Sequence, residues 1–583
     1  MLEHYRLFPT HLAIIFGLIF FFLFYRFVFP RKNLHPLVVI ASFSLVPVLS
    51  IFRNGVFESG QFQEHVSVSI PFFKSLIEGN FFPRWSSNAC SGYGCPLFNF
   101  QYQLVYYMSS VFHFIGFSYV MSMKIVIALS YVLSGFTMYL FARREFSKQG
   151  AFVSTVLYLS APYQFGAMHF RGSISEQMAF TIIPLVFYAA NRCFAKLSLF
   201  NSTILTFFLI LLFLAHQAVC LAVFPLIFLY IGILQSRKKS YKGLLSVTIG
   251  LVGFILVSSY RWVPMLLESH LISAGKTAGV EFQPFWFYIF SPINNRFGLL
   301  FQDNNGALYP NIGYFHLLVV VFIIIFILKR KTAKKLKTLT FGFVFAFFVY
   351  LYFMSSISDP AWHSIPMILY IQNAWRLIIV QAFLTSVLGG ILFNNYSNKP
   401  VIYCLCLLIF TSTIFNWGNR SLDTSKEDLD FEKSTYIKEY PGKTETTTPI
   451  WVDPNSPWIG TRTEDIKTLI GKANVRELNR TTTVHQYLIE TNERAVFVEQ
   501  TYYYPGWSLN VNHKETTIDY KQKQYPGLMT FELPKGLHFV TFTFNDTPSR
   551  HLANLVSIAS IVLLLFALAI NHKISYFKPH SLK

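Results

Sequence analysis

Five ionisable side chains stand at the predicted outer ends of the long apolar segments of this chain, and His65 and His363 lie near such ends as well. Arg171, Glu176, His216, Arg261 and Arg376 each lie at or beside the end of a stretch rich in Phe, Leu, Ile and Val. Charged groups at membrane depth are costly, so each of these residues is a candidate for function. Guanidinium groups bind phosphate through paired, charge-assisted hydrogen bonds. If the five residues meet on one side of a membrane, they predict a phosphate or pyrophosphate site. The alternative is that each arginine only extends to the lipid headgroups.

A second set of reactive side chains lies in a polar stretch between apolar segments, residues 53–118. Glu64 and His65 stand at the start of a predicted short amphipathic helix, and Glu58 precedes them. A carboxylate here is suited either to act as general base toward a hydroxyl nucleophile or to hold a divalent metal. The residues alone leave the metal open, and ordinary solvation of loop glutamates is the alternative.

The composition identifies the kind of element that must position these groups. Hydrophobic residues make up 53% of the 583 residues and charged residues 13%, with a mean hydropathy of +0.43. Soluble domains carry roughly 25% charged residues. The composition therefore excludes a soluble enzyme, a disordered chain and a collagen-like chain, and it predicts a multi-spanning membrane protein. The sequence also lacks the Walker P-loop, H-E-x-x-H and G-x-S-x-G motifs, which argues against ATP-driven pumps and the usual hydrolases.

About thirteen apolar segments approach the length of roughly 20 residues that a membrane-spanning helix needs. They lie at about 11–29, 36–52, 119–141, 149–168, 176–192, 201–217, 218–235, 243–263, 313–328, 337–355, 376–394, 400–417 and 551–570. A weaker segment, 97–117, is interrupted by polar residues. We expect it to lie at the membrane interface rather than to cross.

The net charge of +20 is concentrated in the loops between these segments. If 97–117 does not cross, the basic groups fall on one face of the membrane: Arg31–Lys32, Arg143–Lys148, the runs from Ser236 and Lys329, and the C-terminal tail. Short basic loops mark the cytoplasmic side. The charge thus encodes orientation and not a nucleic-acid partner, and residues 53–118 and 418–550 are predicted to be external.

The sequence divides into three parts: a transmembrane module over 1–417, an external domain over 418–550, and a final helix with a basic cytoplasmic tail over 551–583. After Trp417 the composition becomes rich in Thr, Lys, Glu and Asp. Alternating segments such as HFVTFTFND, separated by turn signals, predict a small antiparallel β-sandwich. The predicted fold class is mainly α, a helical bundle with a C-terminal β-rich domain. Cys90 and Cys95 share the first external loop, either free or bridged.

Several segments, taken in chain order, resemble a known group of membrane proteins. They are GNFFPRWSSNACSGYGCPLFNFQYQLVYY, FRGSISEQMAFTIIPLVFYA, LAHQAVCLAVFPL, NAWRLIIVQAF and YYYPGWSLNVNHKE with LPKGLHFVTFTF. The chain resembles the large bacterial polytopic proteins of the YfhO type and the family called 6-pyruvoyl-tetrahydropterin synthase-related. Both groups are similar to GT-C-type glycosyltransferases.

The resemblance implies a multi-pass protein of the bacterial plasma membrane with a GT-C-like bundle. Such a protein would move a sugar from a polyprenyl-phosphate-linked donor to a cell-envelope acceptor at the outer face of the membrane. The acid of the first outer loop would be catalytic, here Glu64 with His65. The basic cluster, Arg171, His216, Arg261 and Arg376 with Glu176, would bind the lipid phosphate.

One position departs from the pattern of the related sequences. They commonly carry Asp four residues before the loop histidine, where this chain has Gln61. Glu64 is the expected substitute, and a non-catalytic relative is the alternative. The second hypothesis for function is therefore a transporter or assembly factor for lipid-linked glycans.

Overall fold

The computed structural model describes residues 7–30, 34–57, 59–273, 280, 282–289, 311–329, 336–396, 398–413, 422–424, 428–432, 445–460, 462 and 464–577. Most of these residues are helical. The α-helices are α1 Leu7–Val28, α2 Pro36–Val48, α3 Phe62–Ile77, α4 Leu97–Phe100, α5 Leu104–Phe114, α6 Tyr119–Glu145, α7 Lys148–Leu159, α8 Pro162–Phe165, α9 Ile174–Ala195, α10 Leu199–Ala215, α11 Gln217–Lys238, α12 Tyr241–Val257, α13 Ser259–Glu268, α14 Phe285–Ile289, α15 Tyr314–Leu328, α16 Lys337–Met354, α17 Asp359–Ser364, α18 Ile378–Leu392, α19 Lys399–Thr411, α20 Asp428–Glu432 and α21 Pro548–Phe577.

The helices confirm a multi-spanning membrane protein. Within the described residues, seven helices are long and apolar enough to cross a membrane, and an eighth span results if α12 and the segment after it count as one. Four further apolar helices are shorter: Pro36–Phe52, Leu199–Ala215, Tyr314–Leu328 and Lys399–Thr411. The expectation of about thirteen spans thus stays a prediction, because the length criterion is met by fewer helices.

Two of the predicted spans are interrupted. The segment predicted over 149–168 ends as α7 at Leu159 and continues as the short helix α8 and a π-helical turn, Gly166–Arg171. The segment predicted over 243–263 bends by 59° between α12 and α13. Periodicity does not reveal such breaks, because the residues on both sides of them remain apolar.

The segment 97–117 forms two short helices, α4 and α5, and not one long helix. The 11 residues of α5 span only about 16 Å at 1.5 Å per residue, roughly half the thickness of a bilayer core. This helix is too short to cross a membrane alone, as the sequence predicts.

The centre of the bundle is α18, which is buried along almost its whole length. It packs against α7 at close range because Gly389 and Gly390 have no side chain there. A Cβ atom on Gly389 would lie 2.2 Å from Leu157 Cδ1, and one on Gly390 2.7 Å from the ring of Phe146. Small residues at helix contacts are the usual means of close packing in membranes.

Within the region 418–550, where the sequence predicts a β domain, residues 464–544 form antiparallel β-sheet. Its strands are β3 Ile466–Ile470, β4 Ala473–Arg480, β5 Val484–Thr491, β6 Ala495–Tyr502, β7 Trp507–Val511, β8 Lys514–Thr516, β9 Leu528–Leu533 and β10 Gly536–Phe544; the two-residue strands β1 Val56–Phe57 and β2 Leu422–Asp423 pair separately. One sheet has the order β4-β5-β10-β7-β8 and the other β3-β6-β9. The rings of Phe531 and Phe542 pack edge to face between the two sheets at 5.3 Å.

The β domain is docked on the first loop. Cys90 and Cys95 form a disulfide, so the bridged alternative is the one observed. The hairpin it closes inserts the fully buried Tyr93 between domain residues, where its hydroxyl donates to the Trp458 carbonyl at 2.7 Å. Glu78, which caps the C-terminal end of α3, accepts hydrogen bonds from the Thr482 amide at 2.9 Å and from the Thr482 hydroxyl. The first loop therefore links the β domain to helix α3, whose first turn carries Glu64 and His65.

Candidate active site

A buried carboxylate, Glu176, lies at the centre of the predicted basic cluster. It stands in the first turn of α9, where the helix dipole favours a negative charge. Its Oε2 atom accepts a hydrogen bond from Arg171 Nη1 at 2.6 Å and another from the Tyr163 hydroxyl at 2.7 Å. Arg171 and Glu176 are both buried, so they form a tight, nearly dry ion pair.

The other carboxylate oxygen, Oε1, faces two further basic groups. Arg376 Nε lies 3.7 Å from it and His216 Nε2 lies 3.8 Å from it. Both distances are ion-pair distances and exceed that of a good hydrogen bond. With one carboxylate and two guanidinium groups, the cluster has a net positive charge even when the imidazole is neutral. Such a cluster attracts an anion, and Arg376 carries the positive charge that Glu176 does not neutralise at close range.

The cations are positioned by irregular backbone at the helix ends. Arg171 ends the π-helical turn, and its guanidinium stacks on the Trp375 ring at 4.3 Å. The turn closes at Gly172, with φ +60°, where a Cβ atom would lie 2.7 Å from both Phe62 Cβ and Ser59 Oγ. Only glycine fits this approach, which brings the first loop against the arginine cluster.

His216 lies between α10 and α11 and caps the second of these helices. Its Nδ1 atom accepts the Val219 amide hydrogen at 3.3 Å. In the neutral imidazole the proton must then be on Nε2, the nitrogen that faces Glu176. The cap therefore sets the orientation and the tautomer of this histidine.

Aromatic rings connect the cluster to His65 in the first loop. The Tyr102 ring stacks on His216 at 5.2 Å and lies 5.7 Å from the His65 ring. His65 Nδ1 is also 3.1 Å from the Tyr106 hydroxyl. Sequence reasoning did not identify Tyr102, Tyr106, Tyr163 or Trp375 as part of the site, because aromatic residues occur throughout this chain; the signal available was the polar run QYQ around Tyr102.

Glu64 lies in the first turn of α3, half-buried, with Gln61 at the N-cap position of the same helix. Burial, and then the negative charge of Glu64, raise the pKa of the Tyr102 phenol to about 12. The Glu64 carboxylate therefore interacts electrostatically with the ring that joins the loop to the cluster. Its role as a general base stays a prediction, and Glu58 lies outside the described residues.

Arg261 has different partners from the other predicted ligands. It lies in the first turn of α13, after the bend at Ser258, and its guanidinium donates to the carbonyl oxygens of Phe98 and Gln101. Arg261 is buried, and these contacts hold the first loop against α13. Arg171, Glu176, His216 and Arg376 therefore come together, whereas Arg261 contacts the loop backbone instead, and its role in binding phosphate stays a prediction.

A second buried ion network joins the loop, the bundle and the β domain. Arg550, fully buried at the start of α21, donates to both oxygens of Glu268 at 2.8 and 2.9 Å. Arg84 in the first loop pairs with Asp546 at 2.8 Å, and Asn99 donates to Glu268 at 2.9 Å. Sequence reasoning missed this network. The sequence signal for this network was an acid, Glu268, at the end of the bent span and an arginine, Arg550, at the start of the final helix.

The divalent metal considered from the sequence stays a prediction. No three His, Cys, Asp or Glu side chains converge anywhere in the described ranges. In the cluster itself the only carboxylate is paired with cations, which would repel a divalent ion. We therefore assign no step to a metal.

Comparison with known proteins agrees with the membrane architecture. Residues 98–419, more than half of the chain, match the family model described as the 6-pyruvoyl-tetrahydropterin synthase related domain, a membrane protein family. An uncharacterized protein of Lactococcus lactis subsp. cremoris is 24% identical over 243 residues, 39% of this chain and 40% of that protein. The chain thus matches only about two fifths of that relative's length.

Three solved structures of membrane proteins match parts of this chain at low TM-score. Arabinofuranosyltransferase AftD from Mycobacteria has a TM-score of 0.40 and 13% identity, with 66% of this chain and 27% of that chain covered. Archaeal oligosaccharyltransferase AglB from Archaeoglobus fulgidus, in complex with an inhibitory peptide and a dolichol-phosphate, has a TM-score of 0.39 and 14% identity, with 72% and 61% covered. ArnT from Cupriavidus metallidurans, bound to undecaprenyl phosphate, has a TM-score of 0.37 and 12% identity, with 64% and 61% covered.

These likenesses are partial, whereas the family match over 98–419 includes Arg171, Glu176, His216, Arg261 and Arg376. The resemblance noted in the sequence is confirmed: the chain belongs to the 6-pyruvoyl-tetrahydropterin synthase-related family of membrane proteins.

Proposed function

We propose that this protein is a membrane glycosyltransferase that moves a sugar from a polyprenyl-phosphate-linked donor to a cell-envelope acceptor. The observation that carries the proposal is the buried Glu176 with Arg171, Arg376 and His216 around it, one aromatic ring away from His65. A net positive site beside a loop carboxylate provides the two groups that glycosyl transfer from a phosphate needs, an anion holder and a base.

In the proposed reaction the bond between the anomeric carbon and the donor phosphate oxygen breaks, and the acceptor oxygen bonds to that carbon. Glu64 takes the proton of the acceptor hydroxyl, and polyprenyl phosphate leaves with the bonding electron pair. Negative charge builds on the phosphate as the bond breaks. A fixed cation aimed at that charge lowers the barrier, and Arg376 is the candidate because Glu176 does not contact it closely.

An apolar groove supports a lipid-linked donor. It encloses about 750 Å³ and is lined by Phe285, Trp286, Phe348, Leu351 and Tyr352, among others. Helix α16, which forms one wall, packs against the 3-10 helix Ala374–Leu377 that carries Arg376. A prenyl chain in this groove would therefore lie on the same side of the bundle as Arg376, the proposed ligand of its phosphate.

The proposed location is the bacterial plasma membrane, with the β domain and the first loop on the external side and the basic C-terminal tail in the cytoplasm. The alternating basic loops support this orientation. So does the Cys90–Cys95 disulfide, since disulfides persist in oxidising compartments.

A transporter or assembly factor for lipid-linked glycans is the second candidate. The observation that favours it is the pair of interrupted spans, at Leu159 and at Ser258, because broken helices are typical of transporters. A transporter would bind the same donor and release it unchanged on the other side of the membrane.

Purified protein in lipid nanodiscs, supplied with polyprenyl-phosphate sugars and candidate acceptor glycans, tests the proposal. Transfer of radiolabelled sugar together with release of polyprenyl phosphate is the expected result, and Arg376→Ala should abolish most of it. Arg476→Gln, a change at an exposed β-domain residue, is the control. Donor binding without turnover for every acceptor, combined with donor movement across proteoliposome membranes, would favour the second candidate.

A further inference from the structure

A cluster of basic and aromatic side chains lies at the opposite end of the bundle from Glu176. It is formed by the last turns of α6 and α9, which pack together and end side by side, as shown by the hydrogen bond from Asn191 to Glu145 at 2.5 Å. Glu176 and Asn191 are fifteen residues apart on α9, or about 22 Å along the helix. The cluster is therefore separate from the candidate active site.

Two arginines in this cluster converge on one tyrosine. The Arg144 guanidinium lies 5.1 Å from the Tyr188 ring centre, and Arg192 lies 5.9 Å from the same ring. Arg192 also lies 6.0 Å from the Phe200 ring, and its Nε donates to Asn201 Oδ1 at 3.1 Å. Helix α10 thus holds one of the two guanidinium groups in place before any ligand binds.

These arginines have no carboxylate partner among the described residues. The acid that follows Arg144 in the chain, Glu145, accepts instead from Arg237 at 2.8 Å and from the Tyr230 hydroxyl at 2.7 Å. Arg144 is exposed and Arg192 half-buried. Positive charge is therefore left uncompensated on the protein surface at this point.

The surroundings of the two arginines are those of a membrane interface. Both lie in the last turn of a helix long and apolar enough to span the membrane. The neighbouring Phe200 side chain is 54% exposed, and Leu197 is exposed too. A ligand that binds here meets cations above an apolar surface, which suits an amphiphile with a negative headgroup better than a soluble anion.

We propose that the ends of α6 and α9 form a binding site for an anionic membrane phospholipid, whose headgroup phosphate lies between Arg144 and Arg192. The paired guanidinium groups bind the phosphate oxygens, and the acyl chains lie along Phe200 and Leu197. The site does not depend on the proposed transferase activity.

Native mass spectrometry of the detergent-purified protein, titrated with phosphatidylglycerol or phosphatidylcholine, tests the proposal. The parent should bind phosphatidylglycerol in preference. Each arginine near an anionic lipid contributes roughly fivefold in affinity, so Arg144→Gln with Arg192→Gln should weaken binding about twenty-fivefold. Arg144→Lys with Arg192→Lys should bind at an intermediate level, because the charge remains but the paired hydrogen bonds of the guanidinium groups are lost.

The matched control is Lys472→Gln with Arg476→Gln, which removes two exposed charges from the β domain. Equal binding of both lipids by the parent, or undiminished binding by the double glutamine variant, would show that the arginines only extend to bulk headgroups. Displacement of the lipid by millimolar inorganic phosphate would identify a soluble-anion site and overturn the lipid assignment. If the double variant loses its melting transition, Arg144→Gln alone, at the exposed position, gives the same comparison.

Discussion

Removal of Arg171 and removal of Arg376 should have different consequences, although both side chains are cations beside Glu176. Arg171 is 2.6 Å from the carboxylate and buried with it. Loss of one partner from a buried ion pair costs about 3–5 kcal/mol. Tyr163, His216 and Arg376 remain near the carboxylate in the Arg171→Ala variant, so we expect a loss at the lower end, about 3 kcal/mol.

Arg376 contributes less to stability. Its Nε lies 3.7 Å from Glu176, and its Nη1 donates to the Ile371 carbonyl at 2.7 Å. A hydrogen bond donated by a charged group is worth about 1.5–3 kcal/mol, and for this half-buried side chain we expect the lower end, about 1.5 kcal/mol. For anion binding the order reverses, because a lost charge-assisted bond to phosphate costs roughly 1.5–3 kcal/mol, or about ten- to a hundredfold in affinity.

The assay has two readouts, the apparent melting temperature in detergent and the affinity for polyprenyl phosphate. Arg171→Ala should lower the melting temperature clearly, and a second change, Glu176→Gln, should restore much of it by removing the stranded charge. Arg376→Ala should melt close to the parent and bind lipid phosphate at least tenfold more weakly. An Arg171→Ala variant as stable as the parent, or unchanged affinity in Arg376→Ala, would refute this division of roles.

The remaining predictions concern chemistry, orientation and pH. Glu64→Gln should keep donor binding and lower transfer by about 10²–10⁴, the usual share of general-base catalysis, and adding Gln61→Asp should recover part of it; full activity in Glu64→Gln would move the role to another residue. A reporter fused after Lys335 should read cytoplasmic and one inserted at Asn455 external, and an internal signal at the second position would contradict the orientation. Burial alone would raise the pKa of Glu499 in the β domain, but nearby positive charges outweigh burial and lower it to about 2. Because this pKa is depressed in the folded state, the charged Glu499 stabilises the fold by roughly 3 kcal/mol above pH 4.5, and this stabilisation is lost as the pH falls toward 2. Unfolding followed by tryptophan fluorescence should therefore show a smaller acid-induced loss of stability in Glu499→Gln than in the parent. Identical acid profiles of the two proteins would contradict this prediction.

Composition and spacing alone are enough to predict the membrane class, the helical bundle and the antiparallel β domain. Membrane helices need long apolar stretches, and strands at a domain surface need alternation, so both leave local signals. The same reasoning predicted one group of five residues, Arg171, Glu176, His216, Arg261 and Arg376, because charged residues at span ends are costly. The structure brings four of them together and places Arg261 on the backbone of the first loop. Pattern reading also predicted that 97–117 does not form a full span.

Only the tertiary structure decided how these groups interact. The pairing of Arg171 with Glu176, the looser position of Arg376 and the bonding of Arg261 to the Phe98 carbonyl depend on contacts between segments far apart in the chain. Tyr102 becomes part of the site only because the first loop folds against the turn at Gly172. Local sequence patterns indicate which side chains avoid the lipid and which are buried in a core. They do not indicate which distant residue each side chain contacts. That choice depends on backbone breaks, glycine contacts and ring stacking, which are properties of the packed molecule.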